Sequence, residues 1–487
     1  MRTVAKLTCH TSNHNSHTLI IHSFVEAVMR FLLRLVYGGP GERMPPIKNL
    51  LLLESASSLA LKIRTKKISS VEVVNSFIDR IAEVNPVLNC VVDQRYEQAR
   101  ADAAKADALI SSGSYTEHQL AEEKPFLGVP FTTKDCIAVK DMIHTSGLHK
   151  RRNIIAEQDA DAINNMRKSG AIPIGLTNVS ELCMWWESNN PVHGRTHNPY
   201  NTNHIVGGSS GGEGCAQAAA ASAFGIGSDI GGSIRMPAFF NGVFGHKPSK
   251  HIVSNKGQYP VPFTPEQNLF LGVGPICRRA EDLVPILKVI AGDNAKLLKL
   301  DEKVDVKDIK FFYQENDMGS MLVSNVHPDI KESMHKVVSH LEQAHKLTPQ
   351  KLENKRFRKS IQMWLALEKG GVKYGSEEHE KLIHEKDQLL LELADTLGTD
   401  GVLLYPTHPT PAPYHIEPLF KPFNFSYTAI INLMGFPATH VPLGLSRDGL
   451  PIGIQVVANV NQDRLCLAVA RELEKAFGGW IPPYIEA

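Results

Sequence analysis

The chain has 487 residues, 43% hydrophobic and 21% charged, the proportions of a globular protein with a large core. Its 52 basic and 51 acidic residues leave a net charge of +1, without the basic stripe that nucleic-acid binding calls for. Seven widely spaced cysteines, none in a CxxC pair, fit neither a disulfide framework nor a cysteine zinc site, and point to a reducing compartment.

Residues 1–17 are polar and lack the shape of a signal peptide. Residues 18–37, TLIIHSFVEAVMRFLLRLVY, are apolar but carry Glu26, Arg30 and Arg34. A membrane span needs ~20 residues with few or no charges. Spaced by four, these charges form one narrow stripe on a helix otherwise clothed in large apolar side chains. The pattern predicts a helix lying in a membrane interface; the alternative is a helix docked on a protein surface. Residues 1–45 are therefore set apart as a membrane-associating segment. No long Ser/Pro-rich linker, charge block or repeat divides residues 46–487, which read as one domain.

Helical signals fill residues 49–110. SSVEVVNSFIDRIAEVN opens with the capping pattern Ser69-x-x-Glu72, and YEQARADAAKADALISSG is an alanine-rich helix ending near Gly113. LNCVVDQ between them is a short strand. PFLGVPFTTKD is a strand running into a loop, and DAINNMRKSGAIPIGLTN is helix, turn and strand. EGCAQAAAASA is a helix of small residues. Further on, GVLLYP is a strand, FNFSYTAIINLMG a helix, THVPLG and IGIQVVA are strands, and DRLCLAVARELEKAFG is an amphipathic closing helix. Strands alternate with helices, so the predicted fold is α/β with a mixed, twisted central β-sheet covered by α-helices on both faces.

HIVGGSSGGEGC, residues 204–215, admits several readings. A flexible linker does not open directly onto a helix and meet a second glycine cluster, GIGSDIGGSIR, at 225–235. A phosphate loop needs GxxxxGK[ST], which is absent. The nucleophile elbow GxSxG is matched at both Ser209 and Ser210, but the preceding NPYNTNH is too polar for the buried strand that motif requires. The remaining reading uses both clusters for amide hydrolysis, which needs a nucleophile, a base and donors for the oxyanion. Glycine-rich turns can supply backbone N–H donors, and a buried lysine can replace histidine as base. Ser209, Ser210 and Ser233 all qualify as nucleophiles on these grounds, with Lys134 as a candidate base.

FTTKD, GGSSGGEG and SDIGGSIRMPAFFNGVFGHKPS, in this order and spacing, resemble the signature of the amidase signature family of serine hydrolases, and the similarity runs over most of residues 45–487. CMWWESNN, VGGSSGGEGC and FGGW are most similar to its members acting on fatty-acid amides. The resemblance implies the amidase signature fold and a Ser-Ser-Lys triad. Ser233 would be the acyl-carrying nucleophile, Ser209, usually on a cis peptide bond, the proton relay, and Lys134 the base. The N–H groups of Ile230, Gly231, Gly232 and Ser233 would form the oxyanion hole. Cys183 and Met184 would border the substrate, and Ser210, Asp229 and Arg235 would be supports. It implies a lipid amide substrate at an intracellular membrane surface, a homodimer, no nucleic-acid partner, and neither cofactor nor metal. An amidase for small or polar amides, an amidotransferase-type subunit, and a catalytically impaired splice form acting as a binding protein are the alternatives. The last arises because the chain joins IQMWLALEKGG to EEHEKLIHEKDQLLLELADTLG through VKYGS alone. Members acting on fatty-acid amides have a much longer stretch there, which helps wall the acyl channel.

His379-Glu380-x-x-x-His384 departs from the zinc motif HExxH: its histidines lie about 140° apart around a helix, so a solvated surface is expected. Trp185 and Trp186 are read as tunnel lining or core, and Cys136 and Cys215 as small buried residues.

Overall fold

The computed structural model describes residues 28–262, 265–368, 373 and 375–484. Thirteen strands follow in chain order: β1 (Val91–Gln94), β2 (Pro130–Lys134), β3 (Ile172–Thr177), β4 (Asn189–Asn190), β5 (Gly194–Arg195), β6 (Gly225–Asp229), β7 (Phe244–Lys247), β8 (Gly272–Cys277), β9 (Lys310–Tyr313), β10 (Gln350–Lys351), β11 (Gly401–Pro406), β12 (Ala438–Leu445) and β13 (Pro451–Ala458). Eleven form one sheet in the order β1-β3-β2-β6-β8-β7-β12-β13-β11-β9-β10, while β4 and β5 pair separately. The sheet is mixed: β2 runs parallel to β3 and β6, and β9 to β10 and β11, whereas β6, β8, β7, β12, β13 and β11 alternate antiparallel.

Strand periodicity explains why both faces are covered. Along β11, Val402 and Leu404 enter one hydrophobic cluster while Leu403 and Tyr405 enter another. Successive side chains point to opposite faces, so a continuously apolar strand needs a packing layer on each side. The helices provide those layers, and the predicted α/β fold is the one observed.

Most predicted elements fall where their patterns put them. The Ser70–Leu88 helix is capped by Ser69, whose hydroxyl accepts from the Glu72 N–H at 3.1 Å. The alanine run behaves differently. Its helix covers only Gly211–Ala218, and Ala220 takes a left-handed φ of 55°. Buried arginines end it. Arg80 Nε donates to Ala219 O at 3.0 Å, and the Arg278 guanidinium donates to the carbonyls of Gln217 and Ser222. Tertiary partners for the terminal carbonyls thus override the helix propensity of alanine. The turn feeds the chain into β6, a strand hidden among glycines in GIGSDIGG.

Residues 28–37 are helical, while the first half of the predicted N-terminal helix, with Glu26, lies outside the described residues. Leu33 is buried, and the Tyr37 ring stacks on Tyr414 at 6.4 Å. Val28, Phe31, Leu32, Leu35 and Val36 face outward. No described helix is long and apolar enough to cross a membrane. Met44 and Ile47 already belong to the main core.

Candidate active site

Lys134 is the last residue of β2 and is fully buried. Its Nζ is hydrogen-bonded to Ser209 Oγ at 2.7 Å, to Ser228 Oγ at 3.0 Å and to Ser228 O at 3.3 Å. β2 pairs with β6, which carries Ser228, so the sheet itself aims the amine at the glycine–serine loop. No strand runs directly into Ser209, only an isolated bridge at His204, which excludes a nucleophile elbow.

Ser209 lies on a cis peptide after Gly208. A Cβ at Gly208 would come within 2.6 Å of Trp185 O, so only glycine allows the loop to pass there. Ser210 holds loop to loop: its N–H donates to Ser233 O at 3.2 Å, and its hydroxyl donates to Ser228 O at 3.2 Å. Ser233 therefore sits beside the Ser209–Ser210 loop, 6% exposed.

The turn from Asp229 to Ser233 is fixed by a buried polar network. The Asp229 carboxylate accepts from the N–H groups of Gly232 at 2.6 Å and Ile234 at 3.1 Å. Arg235 grips both of its oxygens, with Nε and an Nη each at 3.1 Å. Asn432 Nδ2 adds a donor at 2.9 Å. Burial pushes the Asp229 carboxyl up, but the Arg235 charge and hydrogen bonds and the Asn432 amide outweigh it and hold the group well below the carboxylate range. Arg235 also donates to Gln455 Oε1 and Thr428 O. Thr428 Oγ1 donates to Gly231 O at 2.7 Å.

The network narrows the expected oxyanion hole. The Gly232 N–H is taken by Asp229, because a buried carboxylate is the stronger acceptor. Among the described residues the N–H groups of Ile230, Gly231 and Ser233 have no acceptor, so the open donors are these three. Gly232 serves the turn in another way: its φ is 119°, and a Cβ there would meet Thr428 Oγ1 at 2.0 Å. Above Gly231 stand the Trp364 indole and the Phe425 ring, the nearest atoms that a Cβ at Gly231 would meet, at 3.6 and 3.7 Å.

Cys183 ends a short 3-10 turn, Glu181–Cys183, followed by Met184. The Cys183 thiol contacts Ser209 and Cys136, which places Cys183 against the loop of the expected relay. Burial raises its pKa, but the Cys136 hydrogen bond works against that and lowers the Cys183 thiol, while burial and Cys183 push Cys136 well up. Cys136 and Cys215 are buried, as expected, and Trp186 is core while Trp185 is half-buried. Among the described residues, His379 and His384 belong to no cluster that could hold a metal; His384 is exposed as expected, whereas His379 is buried.

Sequence reasoning missed Ser228, Thr428, Asn432 and Gln455, and also Glu213. Glu213 lies buried beneath the site, accepting from the hydroxyls of Thr132 at 2.9 Å and Thr177 at 2.8 Å. Burial pushes its carboxyl up to about 8, against those hydrogen bonds. A usable signal existed: Asn432 in AIINLM and Gln455 in IGIQVV are lone amides in apolar runs. Buried amides must find partners.

The Amidase family model matches residues 72–387 and 350–467. Fatty-acid amide hydrolase 2 of Homo sapiens is 44% identical over 95% of this chain and 99% of its own length, and fatty-acid amide hydrolase 2-B of Danio rerio is 45% identical over 96% and 98%. The human alignment runs to 527 positions, more than the 487 residues present here, so that relative carries residues this chain lacks. Among solved structures, a fatty acid amide hydrolase superposes with a TM-score of 0.72 at 23% identity, covering 89% of this chain and 86% of that one. A crystal structure of an amidase gives 0.74 at 22% identity, over 87% and 100%.

Proposed function

The chain belongs to the amidase family and is an amide-hydrolysing enzyme, and from that premise we propose that it cleaves fatty-acid amides to free fatty acid and amine through Lys134, Ser209 and Ser233. The observation that carries this reading is the buried 2.7 Å contact between Lys134 Nζ and Ser209 Oγ, beside Ser233. In the reactive cycle neutral Lys134 accepts the Ser209 proton while Ser209 Oγ takes the Ser233 proton. Ser233 Oγ then attacks the amide carbonyl carbon. The N–H groups of Ile230, Gly231 and Ser233 receive the oxyanion, and their fixed geometry needs no reorganisation as charge develops. When the carbon–nitrogen bond breaks, Ser209 gives its proton to the leaving amine and is reprotonated from Lys134. Water enters the acyl-enzyme by the reverse relay and releases the acid. No step calls on a metal or cofactor.

The substrate class rests on two supports. The curated relatives at 44–45% identity are named for fatty-acid amides. The roof over Gly231 is aromatic, made of the Phe425 ring and the Trp364 indole, and these rings offer an acyl chain a packing surface. Membrane contact rests on the outward face of Val28, Phe31, Leu32, Leu35 and Val36, flanked by Arg30 and Arg34.

The test is hydrolysis of oleamide and of a short-chain amide, with Ser233→Ala as control. Oleamide turnover abolished in the variant is expected. Turnover of the short amide alone moves the activity to small amides. A folded wild-type protein that turns over neither, and does not react with a fluorophosphonate at Ser233, defeats the reading.

A further inference from the structure

The Pro328–His345 helix and the closing Asp463–Phe477 helix bear no residue of the Lys134–Ser209–Ser233 site, yet three side chains on them converge. His340 Nε2 lies 3.1 Å and His345 Nε2 2.7 Å from the same oxygen, Glu472 Oε1. One donor atom from each residue lies within 4.8 Å of the others, and among the described residues this is the one such group of three. The two rings meet edge to face, with centroids 5.5 Å apart.

We infer that His340, His345 and Glu472 form a binding site for a divalent transition-metal ion of the zinc type, fastening the C-terminal end of one helix to the other. Two imidazoles and one carboxylate are a ligand set that zinc accepts, with a fourth position left for water. Bonds of ~2.0–2.1 Å in a tetrahedron place ligand atoms about 3.3 Å apart. The observed 3.1 and 2.7 Å need only a small opening. The three side chains are 18–23% exposed, so an ion can reach them and a water can complete the shell.

The electrostatics favour a cation here. Among the described residues Glu472 pairs with no lysine or arginine that an ion would have to displace. His345 is the last residue of its helix, where the free carbonyl ends concentrate negative potential. The histidines are five apart, the spacing that separates His379 and His384 around their helix. The difference is the carboxylate supplied by the neighbouring helix, towards which both rings turn. Binding exchanges the imidazole–carboxylate hydrogen bonds for bonds to the ion and releases any proton held at either Nε2.

The experiment titrates the full-length apo protein with Zn2+ by calorimetry and with Co2+ by visible absorption, beside His345→Ala, Glu472→Gln and the surface control His384→Ala. Expected is saturable one-to-one binding, tetrahedral Co2+ bands, and a higher thermal midpoint with Zn2+. Affinity should fall at least ~10-fold in His345→Ala and Glu472→Gln and stay unchanged in His384→Ala. Glu472→Gln keeps the size of the side chain, and its metal-free melting curve shows whether the fold is intact. No saturable binding to the wild-type protein, or binding that survives both ligand substitutions, overturns the site. So does loss in His384→Ala alone.

Discussion

Lys134 Nζ has two hydrogen-bonded neighbours, Ser209, the proposed proton relay, and Ser228. If Lys134 and Ser209 work as a single relay, removing either should cost nearly as much as removing both. Lys134→Ala and Ser209→Ala are each expected to lower kcat/KM on the order of 10^4-fold, with the double variant close to the worse single one. Steady-state kinetics checks this, and additive losses would mean that the two act separately. Glu213 yields a prediction of another kind. Its folded-state pKa of about 8 stands above the ordinary glutamate value of 4.5, so between those values the folded protein holds a proton that the unfolded chain has released. Stability contributed by the protonated group is complete below about 4.5 and is lost as pH rises through about 8. Thermal midpoints should therefore fall on going from pH 6 to pH 9, and less steeply in Glu213→Gln. Equal slopes would place the alkaline loss elsewhere.

At the scale of elements, the Asp229–Ser233 turn is held from outside itself. The Ser426–Met434 helix delivers Thr428 and Asn432, and β13 delivers Gln455, so residues some 200 positions downstream fix the geometry of Asp229 to Ser233. Arg235→Met would leave the Asp229 carboxylate buried without its cation, a loss of roughly 3–5 kcal/mol. Chemical denaturation measures it; a loss below ~1 kcal/mol would show that the Asn432 and backbone donors suffice. This dependence marks how far the sequence could be read. The long amphipathic helices, β2, β3 and the C-terminal strands were legible because period and capping are local properties. Lys134, Ser209 and Ser233 were nominated by local chemistry, but their ranking came from resemblance, since Ser209 and Ser210 are alike until Ser228 and Ser233 surround them. The glycine-rich β6 and the early end of the alanine helix were illegible, because pairing with β8 and capture by Arg80 and Arg278 decide them. The commitment of the Gly232 N–H to Asp229 is likewise a contact across a turn, invisible in spacing alone.

At the scale of the whole molecule, the helix at 28–37 is tied down on one side and bare on the other. Leu33 and Tyr37 seat it on the body, Tyr37 against Tyr414 and His415, and the strand-like bridge from Tyr414 to His204 joins that seat to the segment leading into Ser209. Five large apolar side chains on the opposite side gain nothing from facing water. Fully burying one such side chain is worth ~1.5–3 kcal/mol. Exchange of two of them for serine should therefore weaken partition into a bilayer at least ~10-fold. Arg30 and Arg34 border this face, so anionic lipid should strengthen binding and salt should weaken it. Cosedimentation of the full chain with phosphatidylcholine vesicles, with and without phosphatidylserine, tests the orientation directly. Phe31→Ser/Leu35→Ser should release the protein from both vesicle types while leaving hydrolysis of a soluble short-chain amide intact, because neither residue reaches the Lys134–Ser209–Ser233 site. Retention of the variant on vesicles would move the membrane contact to another surface. Loss of the soluble activity would mean instead that the helix supports, through Tyr414 and His204, the loop that carries Ser209.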